Sequence, residues 1–176
     1  MKIFLTGRPG IGKTTVIKKV VELLKDKAVG FWTEEFRDLK TNSREGFKII
    51  TTDGRVLIFA SKKLNSPYKV GLYGVNIEGF EQTVIPFLEK AINQKNRIVV
   101  IDEIGKMELF SDKFVNLVRK IVFNIDYNII ATIPIKDVHP VVASIRRLKI
   151  GNLIEVNLEN RITIHSYVYR LILQNL

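Results

Sequence analysis

The 176-residue sequence predicts an α/β fold, with a mainly parallel central sheet covered by helices on both faces. Three observations carry this reading. Short aliphatic runs at Lys2–Thr6, Arg97–Ile101 and Tyr127–Ile133 have the β-branched content of strands buried on both sides. Longer segments between them place apolar residues at helical spacing. The first run leads through a glycine-rich loop directly into a helical pattern, which is the junction from which such sheets are built.

The elements follow in order. Lys2–Thr6 is a short apolar strand, and Thr15–Lys25 carries Val16, Val20, Leu23 and Leu24 at helical spacing. Ala28–Phe36 reads as a strand. Gly46–Thr52 and Arg55–Ala60 are two more, joined at Asp53-Gly54, a strong hairpin signal. This antiparallel β-hairpin is expected as an insertion in, or an extension of, the parallel sheet. Asp38–Glu45 is a polar loop, and Ser61–Asn76, with Pro67, Gly71 and Gly74, is expected to be irregular. A helix follows near Glu78–Gln94, with Phe80, Val84, Phe87, Leu88 and Ala91 on one face. Pro86 should kink it or mark the start of its regular part. Ser111 caps a helix whose buried stripe is Phe114, Leu117, Val118, Ile121 and Val122. After the Tyr127–Ile133 strand, Pro134 ends the run; a short helix near Val141–Leu148, a strand at Leu153–Val156 and a helix at Arg161–Gln174 complete the chain. With no repeats or low-complexity linkers, residues 1–176 read as one domain.

Two segments carry chemistry. Residues 7–14, Gly-Arg-Pro-Gly-Ile-Gly-Lys-Thr, fit the phosphate-loop pattern G-x-x-x-x-G-K-[ST]. Gly7, Gly10 and Gly12 free the backbone to turn, so that its amides cradle phosphate, with Arg8, Pro9 and Ile11 filling the loop. The helix that starts at Lys13, Thr14 and Thr15 adds its positive end. Lys13 neutralises phosphate, and the Thr14 hydroxyl suits Mg²⁺. The second segment ends the Arg97–Ile101 run in Asp102-Glu103. An aspartate at a strand end is placed to hold the same Mg²⁺, and a glutamate beside it can polarise a water. Asp-Glu therefore tilts the reading toward hydrolysis, with a nucleotide or nucleoside kinase as the alternative. Gly105 and Lys106 extend the expected nucleotide-binding set. Arg8, Lys106, Arg146 and Arg147 are the candidate cations for transition-state charge, with Arg146 or Arg147 expected to act as a finger in cis. Thr132 stands at another strand end, either contacting the γ-phosphate side or capping its own turn. Glu34 and Glu35 read as a solvated edge, Trp32 as core packing, and His139 and His165 as structural.

Composition sets the outer bounds. Hydrophobic content of 46% is that of a globular chain, and the absence of cysteine excludes a disulfide framework, a zinc–thiolate site and a cysteine nucleophile. The N-terminal apolar stretch is too short for a signal peptide, and no run approaches a membrane span, so a cytoplasmic enzyme is expected. A net charge of +10 favours polyanions, which keeps a nucleic-acid-stimulated ATPase among the alternatives. The lysines are dispersed, however, with no aromatic–basic interleaving.

Several segments together resemble the THEP1 family of nucleoside-triphosphatases: GRPGIGKTT at Gly7–Thr15, GFWTEEF at Gly30–Phe36 and IDEIGKMEL at Ile101–Leu109. Thr132-Ile133-Pro134, Ile145-Arg146-Arg147 and Asn160-Arg161 are similar too, so the resemblance covers nearly the whole chain. It implies a three-layer P-loop NTPase domain of RecA-like or AAA-like type. It further implies Mg²⁺-dependent hydrolysis of ATP, GTP, CTP and UTP to the diphosphate and phosphate, with loose base choice. A monomer is expected, since no oligomerisation segment is evident.

Overall fold

A computed structural model describes all residues 1–176. In chain order the elements are β1 (Lys2–Thr6), α1 (Lys13–Leu24), β2 (Ala28–Arg37), β3 (Arg44–Thr51), β4 (Val56–Ser61), β5 (Lys69–Val70) and β6 (Tyr73–Val75). Then come α2 (Ile77–Ile92), β7 (Ile98–Ile101), α3 (Asp112–Phe123), β8 (Asn128–Thr132), α4 (Pro140–Arg146), β9 (Asn152–Glu155) and α5 (Ile164–Gln174). All nine strands share one sheet, ordered β5-β6-β4-β3-β2-β7-β8-β1-β9.

Strands β2, β7, β8, β1 and β9 are parallel. Strands β3, β4, β6 and β5 continue the sheet antiparallel from β2. The hairpin read at Asp53-Gly54 is the β3–β4 turn, closed by Gly54 N–H donating to Thr51 O at 2.9 Å. It is the start of a four-stranded extension rather than an isolated insertion. The length of β2 joins the two parts: its first residues, Ala28–Phe31, pair with β7 on one edge, and Phe31–Arg37 pair with β3 on the other.

Alternation along the parallel strands builds two cores, one on each face. Phe4, Val99, Ile101, Ile129 and Ala131 point to the side covered by α2, α3 and α4. Ile3, Leu5, Ile98, Val100 and Ile130 point to the side covered by α1 and α5. The first core centres on Phe31, Phe59, Phe80 and Phe114, fully buried and packed with ring centroids 5.1–6.3 Å apart. Burying one such ring contributes about 1.5–3 kcal/mol, so this cluster anchors α2 and α3 to the sheet. Pro86 lies inside α2, where its missing N–H costs one backbone bond on the exposed face.

The strand order determines where chemistry collects. β8 lies between β1 and β7, so the C-terminal ends of the three strands stand side by side and carry Thr6, Thr132 and Asp102. The ladder extends just past these ends: Ile133 N–H donates to Leu5 O at 2.9 Å and Ile104 N–H to Thr132 O at 3.0 Å. Ligands of open parallel sheets bind at this edge.

Candidate active site

The loop between β1 and α1 is folded as the sequence requires. Gly10 and Gly12 have φ of 78° and 114°, a region that side chains disfavour. Ile11 is buried among α1-side core residues and anchors the loop, while Ile11 N–H donates to Arg8 O at 3.2 Å. Gly12 is the N-cap of α1 and supplies no side-chain acceptor. The first-turn amides of α1 are therefore left for an anion, with the helix dipole behind them. Lys13 Nζ donates to Gly7 O at 2.7 Å, which folds its ammonium over the loop.

Asp102 is the hub of the opposite wall and is only 3% exposed. Its carboxylate accepts from Thr14 Oγ1 at 2.6 Å and from Thr132 Oγ1 at 2.5 Å. Thr33 Oγ1 donates to the Asp102 carbonyl at 2.5 Å. Burial pushes the Asp102 carboxyl above the usual range, and the hydroxyl donors Thr132 and Thr14 work against that rise. The next residue, Glu103, places its carboxylate 3.8 Å from Lys13 Nζ. Burial raises Glu103 to about 7, opposed by the charge of Lys13 and assisted by that of Asp102.

The donor set fits a magnesium ion shared with a triphosphate. Thr14 and Asp102 bring two hard oxygens together, and Mg²⁺ characteristically takes one or two protein oxygens with phosphates and water completing the shell. No cluster of three or more His, Cys, Asp or Glu side chains offers an all-protein cage.

Residues 2–169 match the family described as NTPase. The chain belongs to that family. It is 54% identical over 165 residues to nucleoside-triphosphatase THEP1 of Aquifex aeolicus, covering 92% of this chain and 93% of the relative. A human cancer-related nucleoside-triphosphatase is 40% identical over 172 residues, covering 90% of each chain. The crystal structure of THEP1 from Aquifex aeolicus superposes with a TM-score of 0.90 at 51% identity, covering 97% of this chain and 98% of the other. The solution structure of the human cancer-related protein superposes at 0.80 with 36% identity, covering 97% and 96%. The family resemblance, the P-loop fold and the enzyme class expected from sequence are all borne out.

Within this family member, the remaining candidates divide. A cleft of about 760 Å³ gathers Pro9, Gly10, Gly12, Lys13, Thr14, Thr15, Asp102, Glu103 and Lys106. Thr132 is fully buried, and its hydroxyl donates to the Asp102 carboxylate instead of capping its own turn. Arg146 and Arg147 are not brought to the cleft. Arg146 Nε donates to Asp137 at 2.8 Å and its Nη2 to Pro134 O at 2.5 Å, which commits it to the loop after β8. Arg147 is exposed at the C-terminal end of α4. The expectation of a finger in cis from either residue therefore has no support in the geometry. Arg8 is exposed and is not among the residues that line the cleft. Trp32 packs against the α1-side core and donates to Glu34 at 3.0 Å, while Glu34 also pairs with Lys18 at 2.7 Å. Lys18 holds the Glu34 carboxyl below its usual range, so this edge is an ion pair. His139 caps α4, its Nδ1 accepting from Val141 N–H at 3.1 Å.

Sequence reasoning assigned no role to Glu108, which is 5% exposed and lines the same cleft. A methyl group on Gly105 would come within 2.8 Å of Glu103 Oε2 and 2.9 Å of Glu108 Oε2. Gly105 is thus the spacer against which two carboxylates pack. Burial, with Glu103 nearby, pushes Glu108 well above the usual carboxylate range. Only its burial distinguishes Glu108 from a surface glutamate, and the sequence offers no signal for that.

Proposed function

We propose that this protein hydrolyses nucleoside triphosphates at the terminal anhydride, with Mg²⁺ as cofactor and little discrimination among bases. The supporting observation is the convergence of the two motifs: Thr14 on Asp102 at 2.6 Å, and Lys13 within 3.8 Å of Glu103. Thr14 and Asp102 would hold Mg²⁺, which supplies charge neutralisation for the phosphates when bound. The loop amides and Lys13 bind the triphosphate and stabilise the charge that develops on the γ-phosphoryl oxygens. Glu103 accepts a hydrogen bond from the attacking water, orients it, and takes its proton as the new P–O bond forms. Thr132 keeps Asp102 in place. The γ-phosphorus–oxygen bond to the β-phosphate breaks, and the diphosphate and inorganic phosphate leave. Contacts of this kind are made to phosphates common to all four nucleotides, which supports loose base choice. The reading sets the enzyme among cytoplasmic nucleotides and working as a single chain.

The experiment is phosphate release from ATP, GTP, CTP and UTP, with Mg²⁺ and with a chelator. Activity on all four that disappears with chelation is the expected result. Glu103→Gln should keep ATP binding while turnover falls about 10²–10³-fold. Undiminished turnover in that variant would reject the assignment.

A second reading, phosphoryl transfer to a small acceptor, has one observation in its favour. Besides the phosphate-loop residues and Glu103, the cleft is lined by Arg44, Phe47, Phe59, Val70 and Met107, which leaves space for an acceptor beside the phosphates. Diphosphate formation that requires an added acceptor would favour transfer; formation in buffer alone favours hydrolysis.

A further inference from the structure

We propose that Arg161 is the nucleobase platform of the site, its flat guanidinium stacking on whichever base the bound triphosphate carries. The inference rests on the hydrolytic reading for the direction of the bound nucleotide. Lys13 serves the β- and γ-phosphates, and the γ-phosphate faces Asp102 and Glu103. The nucleoside must then leave the loop on the other side, past Gly12 and the exposed Thr15.

Arg161 stands there. Its Cδ lies 4.0 Å from the point where a Cβ on Gly12 would be. The side-chain stem is therefore laid against the last glycine of the phosphate loop. The position is built rather than incidental. Val156 N–H donates to Thr6 O at 2.8 Å, tying the end of β9 to the strand that launches the loop. Asn160 Nδ2 donates to Glu155 O at 2.8 Å, and Asn160 Oδ1 accepts from Asn157 N–H at 2.9 Å. Asn157 Oδ1 accepts from the Glu159 and Asn160 amides, each at 2.9 Å. Arg161 N–H then donates to Asn157 O at 3.0 Å, which fixes the backbone from which the side chain springs.

The head group is exposed, and no carboxylate lies within 4.0 Å of it, whereas Arg44, Arg55 and Arg146 are each paired. Arg161 does not line the cleft itself, but a guanidinium kept free beside Gly12 of the phosphate loop presents a planar cationic face there. Every nucleobase has a π-face to lay on it, so the contact adds affinity without selecting a base.

The test compares wild type, Arg161→Ala and Arg161→Lys with four nucleotides and with inorganic tripolyphosphate, which has no base. Arg161→Ala should raise KM for ATP, GTP, CTP and UTP about tenfold. Its kcat should stay within about twofold, because the group acts on binding and not on the chemical step. The inhibition constant of tripolyphosphate should not move, and lysine should not rescue, since an ammonium has no flat face. The proposal is overturned if tripolyphosphate weakens in step with ATP, if lysine restores wild-type KM, or if Arg161→Ala leaves every KM unchanged. Should the wild type release no phosphate at all, the hydrolytic reading fails, and calorimetric affinities of ATP and tripolyphosphate for wild type and Arg161→Ala still decide the role of Arg161.

Discussion

In the proposed reaction Glu103 must be ionised to take a proton from water, and its surroundings resist ionisation. Burial holds its pKa near 7, with Asp102 adding to the rise and Lys13 opposing it. Two opposite pH dependences follow. The basic form grows as pH rises through about 7, so kcat/KM, which reports the free enzyme, should climb over that range and level above it. Stability runs the other way. The folded pKa lies above the ordinary 4.5, so between that value and about 7 the folded state binds more protons than the unfolded one. This contribution is complete below the window and is lost as pH rises through it. The measurement is a kcat/KM profile for wild type beside Glu103→Gln. The wild type should show the rising limb and the glutamine variant should not; the same limb in both would assign it to another group.

At the scale of elements, the informative residue is Lys2. It opens β1, is only 3% exposed, and donates from Nζ to Ile121 O and Asn124 O at 2.6 Å and to Tyr127 O at 2.5 Å. It thereby caps the C-terminal end of α3 and ties that helix to the approach to β8. Lys2→Met keeps much of the stem but strands three carbonyls, and should cost about 2 kcal/mol. A lower denaturant midpoint with unchanged kcat in the folded protein checks this; an unchanged midpoint would show that water satisfies the carbonyls equally well. Nothing in the sequence marked Lys2, because its partners lie about 120 positions away. What was legible had local causes: aliphatic runs for β1, β7 and β8, periodicity for α1 and α3, the Ser111 cap accepting from Phe114 N–H, and the Asp53-Gly54 turn. Strands β5 and β6 were missed within the segment expected to be irregular, since two or three residues show no alternation. The last helix begins at Ile164 and not at Arg161, because asparagine side chains hold the preceding residues in a turn. The candidate site follows the same division. The phosphate loop and Asp102-Glu103 are each a contiguous stretch of sequence, whereas the burial of Glu108 and the commitment of Arg146 to Asp137 depend on packing.

The whole molecule carries a net charge of +10, yet in its cleft Lys13, Lys18, Arg44 and Lys106 are balanced by Glu34, Glu35, Asp102, Glu103 and Glu108. The positive charge therefore lies mainly outside the site, where it draws polyanions to the surface in general. The most conspicuous basic–aromatic group is already satisfied internally. Arg44 lies 5.3 Å from the Phe47 ring centroid and 5.5 Å from that of Tyr73, and it donates to Tyr73 Oη and Glu35. A strand of nucleic acid finds attraction there but no free ring on which to stack a base. Nucleic acid should consequently be retained in dilute salt and released steeply as salt rises. It should leave kcat unchanged and raise KM for ATP, because bound polyanion screens the field that gathers triphosphate. Steady-state ATP turnover with and without single-stranded DNA or RNA, across a salt series, decides the matter. An increase in kcat that fades with salt would mean that nucleic acid orders part of the catalytic cleft, and the protein would then act as a nucleic-acid-stimulated ATPase.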